Sequence, residues 1–340
     1  MSVFLDACAK RATPYTPIWL MRQAGRYQPS YRAIREKVSF MELCRSPALC
    51  SEVALRAVDD LGVDAAIVFS DILVVLEPLG IGFEFTKDDG PRIAQPVREA
   101  RDVDRVKTEI DAAGSLSYVM DAIRTTKRDL GGRVPLIGFS GAPFTLASYV
   151  IEGGGSREHL FVKKLMYGDE GAFGALMERL ADAVSRYLSA QIDAGAQCVQ
   201  LFDSWVGTLS REDYVRYVLP HTRRALASAK GRVPIIHFGT GNPDLYPAMR
   251  EAGGDVIGID ARAHLGRTWD ALGDTALMGN LESGALLGSR ETMLRKTDAI
   301  LAAARGRRGH VFNLGHGILP SADIATARAL VDYVHEQSAR

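Results

Sequence analysis

Residues 134–156 read VPLIGFSGAPFTLASYVIEGGGS. A short apolar run, 134–139, is closed by Ser140-Gly141 and followed by a longer stretch with helical spacing, the pattern of a strand feeding a helix. Outward from it the same unit recurs at residues 17–21, 64–69, 197–202, 233–238, 255–259, 275–279 and 310–314, eight runs in all, each closed by Gly, Ser, Asp or Asn. Most are continuously apolar, as parallel strands covered on both faces must be. Eight such units predict an α/β fold of the TIM type, a (β/α)8 barrel.

The stretches between supply helices. Ser46-Pro47 offers an N-cap and a first-turn proline, Leu49, Val53, Ala57 and Leu61 share one face, and Gly62 stops the helix. Further helices are predicted over 179–194 up to Gly195, 211–229 up to Gly231, and 321–335 behind Pro320. Segment 79–97, with GIGFEF, KDDG and PRIAQPV, reads as a hairpin inserted after the second strand. No Pro-, Gly- or Ser-rich linker and no internal repeat divides the chain, so residues 1–340 are read as a single barrel domain.

A length of 340 residues suits one such barrel, and 47% apolar with 24% charged residues is an ordinary globular composition. A formal net charge of zero argues against a nucleic acid or an anionic membrane as partner, since both select a basic excess. Any anion site must be local. Cys8, Cys44, Cys50 and Cys198 have no C-x-x-C spacing, which fits a reducing compartment. The opening MSVFLDACAKRATPYTP carries Asp6 and no long apolar run, and no apolar stretch is long enough to span a membrane. A cytoplasmic location is expected.

In barrels of this kind the loops after the strands converge on one opening, so chemistry is sought at strand ends. Those positions hold Arg22, Ser70-Asp71, Ser140-Gly141, Asp203-Ser204, residues 239–242, Asp260, Asn280, and Asn313 with His316. In MRQAGRYQPSYRAIREK, Arg22, Arg26, Arg32 and Arg35 gather before any acid appears. Alone, that cluster equally describes a solvated loop; at the end of the first strand, guanidinium forks suited to carboxylates or phosphates point to a polyanionic ligand. Asp71 lies between apolar runs, where a carboxylate needs a cationic or N–H-rich partner; the plain alternative is a turn cap. Tyr149 falls about two helical turns past the third strand, able to reach the opening or to pack as an amphipathic tyrosine. His316, flanked by glycines, reads as a substrate contact or proton carrier.

Residues 153–156, GGGS, lack the GK[ST] ending of a phosphate loop. His237 is followed by Phe238 and Gly239, and no cysteine lies beyond Cys198, so no metal site is expected. No G-x-G-x-x-G opens a helix after the first strand and no lysine stands alone at a strand end, so no nicotinamide or pyridoxal cofactor is expected either.

Together, PIWLMRQAGRY, FSDIL, GFSGAPFTLASYVIEGGGS, LFDSW and FNLGHG closely resemble the uroporphyrinogen decarboxylase family, in order from about residue 17 to residue 320. The resemblance implies a distorted (β/α)8 barrel, a homodimer, and removal of carbon dioxide without a cofactor from the four acetate side chains of uroporphyrinogen III, giving coproporphyrinogen III. Carried over position by position, it makes Arg22, Arg26 and Arg35 carboxylate-handling arginines, with Gln23 of the same motif among the substrate contacts. Asp71 would meet the pyrrole N–H groups, Tyr149, Ser204 and His316 the acetates and propionates, and Phe202 would be an apolar wall. The catalytic set is then Asp71, Arg22, Tyr149 and His316. Two departures stand out: the family commonly has a tryptophan after the sixth strand's Asp and a proline in GNLDP, where this chain reads GIDARAH and GNLES. Competing readings are a corrinoid-linked methyltransferase of the same superfamily, which needs zinc on His and Cys where this chain has Gly239, and a non-catalytic tetrapyrrole-binding protein.

Overall fold

The computed structural model describes residues 2–86 and 90–340. Seven of the eight expected runs pair as one curled parallel sheet: β1 (Ala66–Ile67), β4 (Leu136–Gly141), β5 (Cys198–Asp203), β6 (Ile235–Gly239), β7 (Val256–Gly258), β8 (Ala276–Met278) and β9 (His310–Val311), each beside the next. Strands β2 (Phe83–Thr86) and β3 (Gly90–Ile93) form the antiparallel hairpin after β1, in register Phe83↔Ile93. Residues 87–89 of the expected KDDG turn lie outside the described residues.

The eighth run, residues 17–21, closes the ring without becoming a ladder strand. It makes a single parallel bridge, Ile18↔Phe312, with Phe312 N donating to Pro17 O at 2.8 Å and Trp19 N to Phe312 O at 3.3 Å. On its other side Asp64 N donates to Ile18 O at 2.8 Å, and side chains supply the rest: Ile18 N donates to Asp64 Oδ2 at 2.7 Å and Gln23 Nε2 to Ala65 O at 3.1 Å. Pro17 has no N–H to offer a ladder, which is one reason regular pairing fails here.

The barrel is a filled core. Ile18, Leu20, Ile137, Leu201, Ile236, Ile257, Leu277 and Phe312 are buried to within 1%, and each large aliphatic side chain so buried contributes about 1.5–3 kcal/mol. The helix with the expected caps spans Pro47–Leu61, its N-cap Ser46 accepting from Leu49 N and Gly62 at φ 70 closing it. The helix expected from 179 begins earlier, at Glu170, with Asp169 as its cap, and runs to Ala194. The C-terminal one is shifted to Ile324–Ser338, capped by Asp323. The helix expected over 211–229 is broken: a short turn Arg211–Asp213 passes into a π-helical segment Tyr214–Val218, and Leu219–Leu226 continues from there. Pro220 is the physical reason, since an interior proline removes an N–H and its ring crowds the preceding turn.

Candidate active site

The strand ends and the hairpin surround one large cleft of about 1190 Å³. That exceeds the roughly 300–1,000 Å³ of ordinary small-molecule pockets, so a ligand filling it is large. Its floor is aromatic. Phe139, Phe202 and Phe238, from three neighbouring strands, meet edge to face with centroids 5.6 Å and 6.1 Å apart. Side chains alternate across a strand, so Phe202 and its register partner Phe238 point inward together. Under the hairpin, Phe85 of β2 packs on Phe40 at 4.8 Å and Phe40 on Phe69 at 6.0 Å, extending the apolar wall.

Above this floor stand Arg22, Arg26 and Arg35. Arg22 and Arg26 are exposed and Arg35 half-buried, and none of the three is ion-paired with a described residue, whereas Arg45 at the far side of the cleft is held by Glu77 at 2.7 Å. Arg35 donates to Val38 O and lies 5.8 Å from the Phe40 ring, which fixes its direction. Three free guanidiniums at one mouth repel each other until an anion arrives. Arg32 does not join them: it donates to Arg26 O at 2.8 Å and Tyr27 O at 3.0 Å, and so fastens the loop that carries them.

Asp71 lies at the floor of the same cleft. Its Oδ1 accepts from Leu73 N at 2.9 Å, so the cap function is real, but the carboxylate also faces the cavity. Burial pushes its pKa up to about 6, against the opposing pull of the Leu73 N–H and the Arg22 charge. Tyr149 lines the cleft with its ring 5.8 Å from Trp205, and burial together with the Asp71 charge raises its pKa, keeping the phenol a donor. Ser204 and Phe202 complete that wall. His316 is exposed at the rim; burial of part of its ring and the neighbouring Arg22 lower its pKa, so it is a neutral imidazole at pH 7.

Of the nine site residues read from the sequence, eight therefore line one cavity, and one does not. Gln23 is 1% exposed. Its Oε1 accepts from Leu20 N at 3.2 Å while its Nε2 donates to Ala65 O. Both ends of its amide are occupied in the barrel wall, and this corrects the expectation of a substrate contact. The backbone turns at Arg22, which sends Arg22 into the cleft and Gln23 the opposite way. Phe139, Phe238, Phe40 and Phe85 were not expected in the site. The first two were discoverable as the last apolar residues of their runs; the others depend on where the hairpin docks.

Asp203, between Phe202 and Ser204, points away from the cleft. It is fully buried, accepts from Thr145 Oγ1 at 3.2 Å, and its Oδ2 lies 3.6 Å from His237 Nε2. His237 Nε2 thus faces that carboxylate beyond hydrogen-bond distance while its Nδ1 lies 3.2 Å from Gly253 O and 3.3 Å from Met249 O, and a Cβ at Gly239 would lie 2.6 Å from the Met249 thioether, so any side chain there requires Met249 to shift. Among the described residues no group of three His, Cys, Asp or Glu is arranged to hold a metal. The two departing loops are well held: Asp260 accepts from Gly241 N at 2.7 Å and Arg262 N at 3.1 Å, and Asn280 Nδ2 donates to Asp260 O and Ala263 O at 2.8 and 2.7 Å. Neither Asp260 nor Asn280 reaches the cleft.

A barrel whose C-terminal face gathers free guanidiniums around one half-buried carboxylate is the class of α/β-barrel protein suited to a large polyanion. The chain belongs to the uroporphyrinogen decarboxylase family: the family model described as uroporphyrinogen decarboxylase (URO-D) matches residues 1–337. It is 51% identical over 337 residues to a uroporphyrinogen decarboxylase of Carboxydothermus hydrogenoformans, covering 98% of this chain and 96% of the relative. It is 48% identical over 334 residues to one of Sorangium cellulosum, covering 98% and 95%. Among solved structures, a methyltransferase from Methanosarcina mazei superposes with a TM-score of 0.82 at 18% identity, covering 98% of both chains, a likeness of fold.

Proposed function

We propose that this chain is a carboxy-lyase that converts uroporphyrinogen III to coproporphyrinogen III by removing the four acetate carboxyls. The observation that carries the reading is the juxtaposition of one desolvated carboxylate, Asp71, with Arg22, Arg26 and Arg35 around a cleft large enough for a tetrapyrrole.

Each step replaces a carboxylate by a proton: R–CH2–COO⁻ plus H⁺ gives R–CH3 plus CO2. Protonation of a pyrrole ring carbon makes the ring cationic. The C–C bond to the carboxylate then breaks, its electron pair flows into the ring, the exocyclic carbon takes a proton, and the ring carbon returns one. The substrate is its own electron sink, so the route calls on no cofactor. Asp71 stabilises the cationic ring more than the neutral one, which is differential stabilisation of the transition state. Tyr149 and the neutral His316 donate hydrogen bonds to peripheral carboxylates, with Ser204 beside them. Clamping the departing carboxylate would stabilise the ground state, so Arg26 and Arg35 hold non-reacting carboxylates and Arg22 orients the reacting one.

The homodimer is part of this proposal; the exposed Leu160, Phe161 and Tyr167, at 66%, 48% and 56%, offer an apolar surface for it, and sedimentation at the monomer mass down to and above micromolar concentration would remove it. No helix of the described residues is long and apolar enough to cross a membrane; action in the cytoplasm is part of the same proposal. Supplying uroporphyrinogen under anaerobic, reducing conditions and separating products by carboxyl number tests the activity: stepwise passage from eight to four carboxyls is expected. Binding without loss of carboxyls would make the chain a carrier instead. Tightly bound stoichiometric zinc in the purified protein would favour the methyltransferase reading.

A further inference from the structure

Gly317 also lines the cleft, immediately after His316. A Cβ placed on it would lie 2.4 Å from Cδ, 2.7 Å from Cγ and 3.0 Å from Nε of Arg22. Carbon atoms in contact sit roughly 3.5–4.0 Å apart, so the Arg22 stem occupies the space where any side chain at 317 would begin.

The backbone under Arg22 has no freedom to retreat. Arg22 is one of three described non-glycine residues with positive φ, at 62°. On one side, Met21 N donates to Asn313 Oδ1 at 3.1 Å and Ile318 N donates to Met21 O at 2.9 Å. On the other, Gln23 is tied through both ends of its amide to Leu20 and Ala65. The turn is therefore fixed at both ends, and only the direction of the Arg22 side chain can adjust. Gly317 itself has no positive φ, so its own backbone accepts alanine, and the cost of a methyl group falls on the arginine stem.

We propose that Gly317 is the seat of Arg22, a positioning residue whose missing side chain lets the stem lie across the backbone and aim its guanidinium at the reacting carboxylate. The inference rests on the decarboxylase reading for its activity readout. Gly317→Ala swings Arg22 aside while leaving the barrel intact. A displacement of this kind costs about 10- to 100-fold in kcat.

Two further readouts separate positioning from a general structural effect. The ionisable groups whose fields couple to Asp71 are Arg22, Tyr149, Tyr187 and Cys44. Burial raises the tyrosine and cysteine pKa values, so among these Arg22 alone is charged near neutrality. Moving it away removes the cation that opposes the burial of Asp71, and the acid limb of kcat/KM shifts to higher pH in Gly317→Ala. In an Arg22→Ala background, adding Gly317→Ala produces no further loss, because the group being seated is gone.

The experiment compares kcat, KM, pH profile and urea midpoint for the wild type, Gly317→Ala, Arg22→Ala and the double variant. A loss in Gly317→Ala that disappears in the double variant, with an unchanged urea midpoint and a raised acid limb, is the expected result. Activity of Gly317→Ala within twofold of wild type, losses that multiply in the double variant, an unmoved acid limb, or failure of Gly317→Ala to fold each overturn the proposal. Should the wild type not turn over uroporphyrinogen, the decarboxylase reading falls, and the seat is decided by fluorescence titration with uroporphyrin: weaker binding in Gly317→Ala, not weakened further in the double variant, upholds it, and equal binding rejects it.

Discussion

Replacing Asp71 with asparagine keeps the shape of the floor and removes one charge. If the carboxylate sits roughly 4 Å from the cationic ring, at an effective dielectric of about 20, its Coulomb energy is about 4 kcal/mol, equivalent to about three orders of magnitude in rate. The pyrrole ring, uncharged until it is protonated, gains far less from that charge than the cationic ring does, so the loss falls on kcat, while KM, set by the arginines, stays within a few-fold. The raised pKa supplies an independent check. With Asp71 at about 6, about nine tenths of the free enzyme is ionised at pH 7 and about one tenth at pH 5, so kcat/KM falls about tenfold between them. Asp71→Asn abolishes that limb. Anaerobic assays that count product carboxyls across pH 5 to 8 give both numbers. A variant turning over within tenfold of wild type, or keeping the acid limb, would refute the assignment of Asp71 as the cation-stabilising group.

Arg26→Ala removes a charge-assisted contact worth about 1.5–3 kcal/mol that is made equally in ground and transition states; KM should rise at least about tenfold with kcat nearly constant, and steady-state kinetics at two salt concentrations check it, a fall in kcat alone counting against this role. His310 is buried, its Nε2 3.0 Å from Gly279 O, and burial lowers its pKa to about 4. The unfolded chain binds its proton below about pH 6.5, whereas the folded one resists until about 4, so stability contributed by this group is present above that window and declines by about 3 kcal/mol as pH falls through it. Urea midpoints at pH 7 and pH 4.5 should show a decline that His310→Gln reduces. The buried Asp203–His237 pair should behave as a unit: Asp203→Leu destabilises by about 3 kcal/mol, and adding His237→Phe recovers much of it, since breaking such a pair costs more than replacing it; equal and additive losses would contradict the pairing.

Much of the site was legible because barrel geometry turns a strand boundary into a spatial address. Arg22, Asp71, Ser204 and His316 needed only that rule, Tyr149 the helical rise after β4, and Phe202 the family resemblance. Gln23 shows the limit. It shares a motif with Arg22, but whether the chain turns between two neighbours is set by contacts with Leu20 and Ala65 that no local pattern announces. The aromatic wall from Phe40 and Phe85 was hidden likewise, because it arises from docking two segments far apart in sequence. The fold's repeating unit is legible, yet the closing run reads as an ordinary strand: side chains of Asp64 and Gln23 stand in for ladder bonds there, and propensity does not record such substitutions. The 211–229 stretch reads as one helix only when Pro220 is passed over, although the N–H it lacks marks where the regular ladder gives way.

The joint at residues 17–21 has a consequence for how the chain can be handled at its far end. Tyr15 donates to Asp64 at 2.9 Å, the same carboxylate meets His335 at 2.8 Å, Thr16 N donates to Ser338 Oγ at 2.8 Å, and Arg340 N donates to Pro14 O at 2.9 Å. The last turn of the final helix thus works as a latch on the stave that bears the arginines. Trimming residues 336–340, remote from every reacting atom, should loosen that stave first, and backbone amides around Trp19 should then exchange faster than those of β6 at the opposite wall.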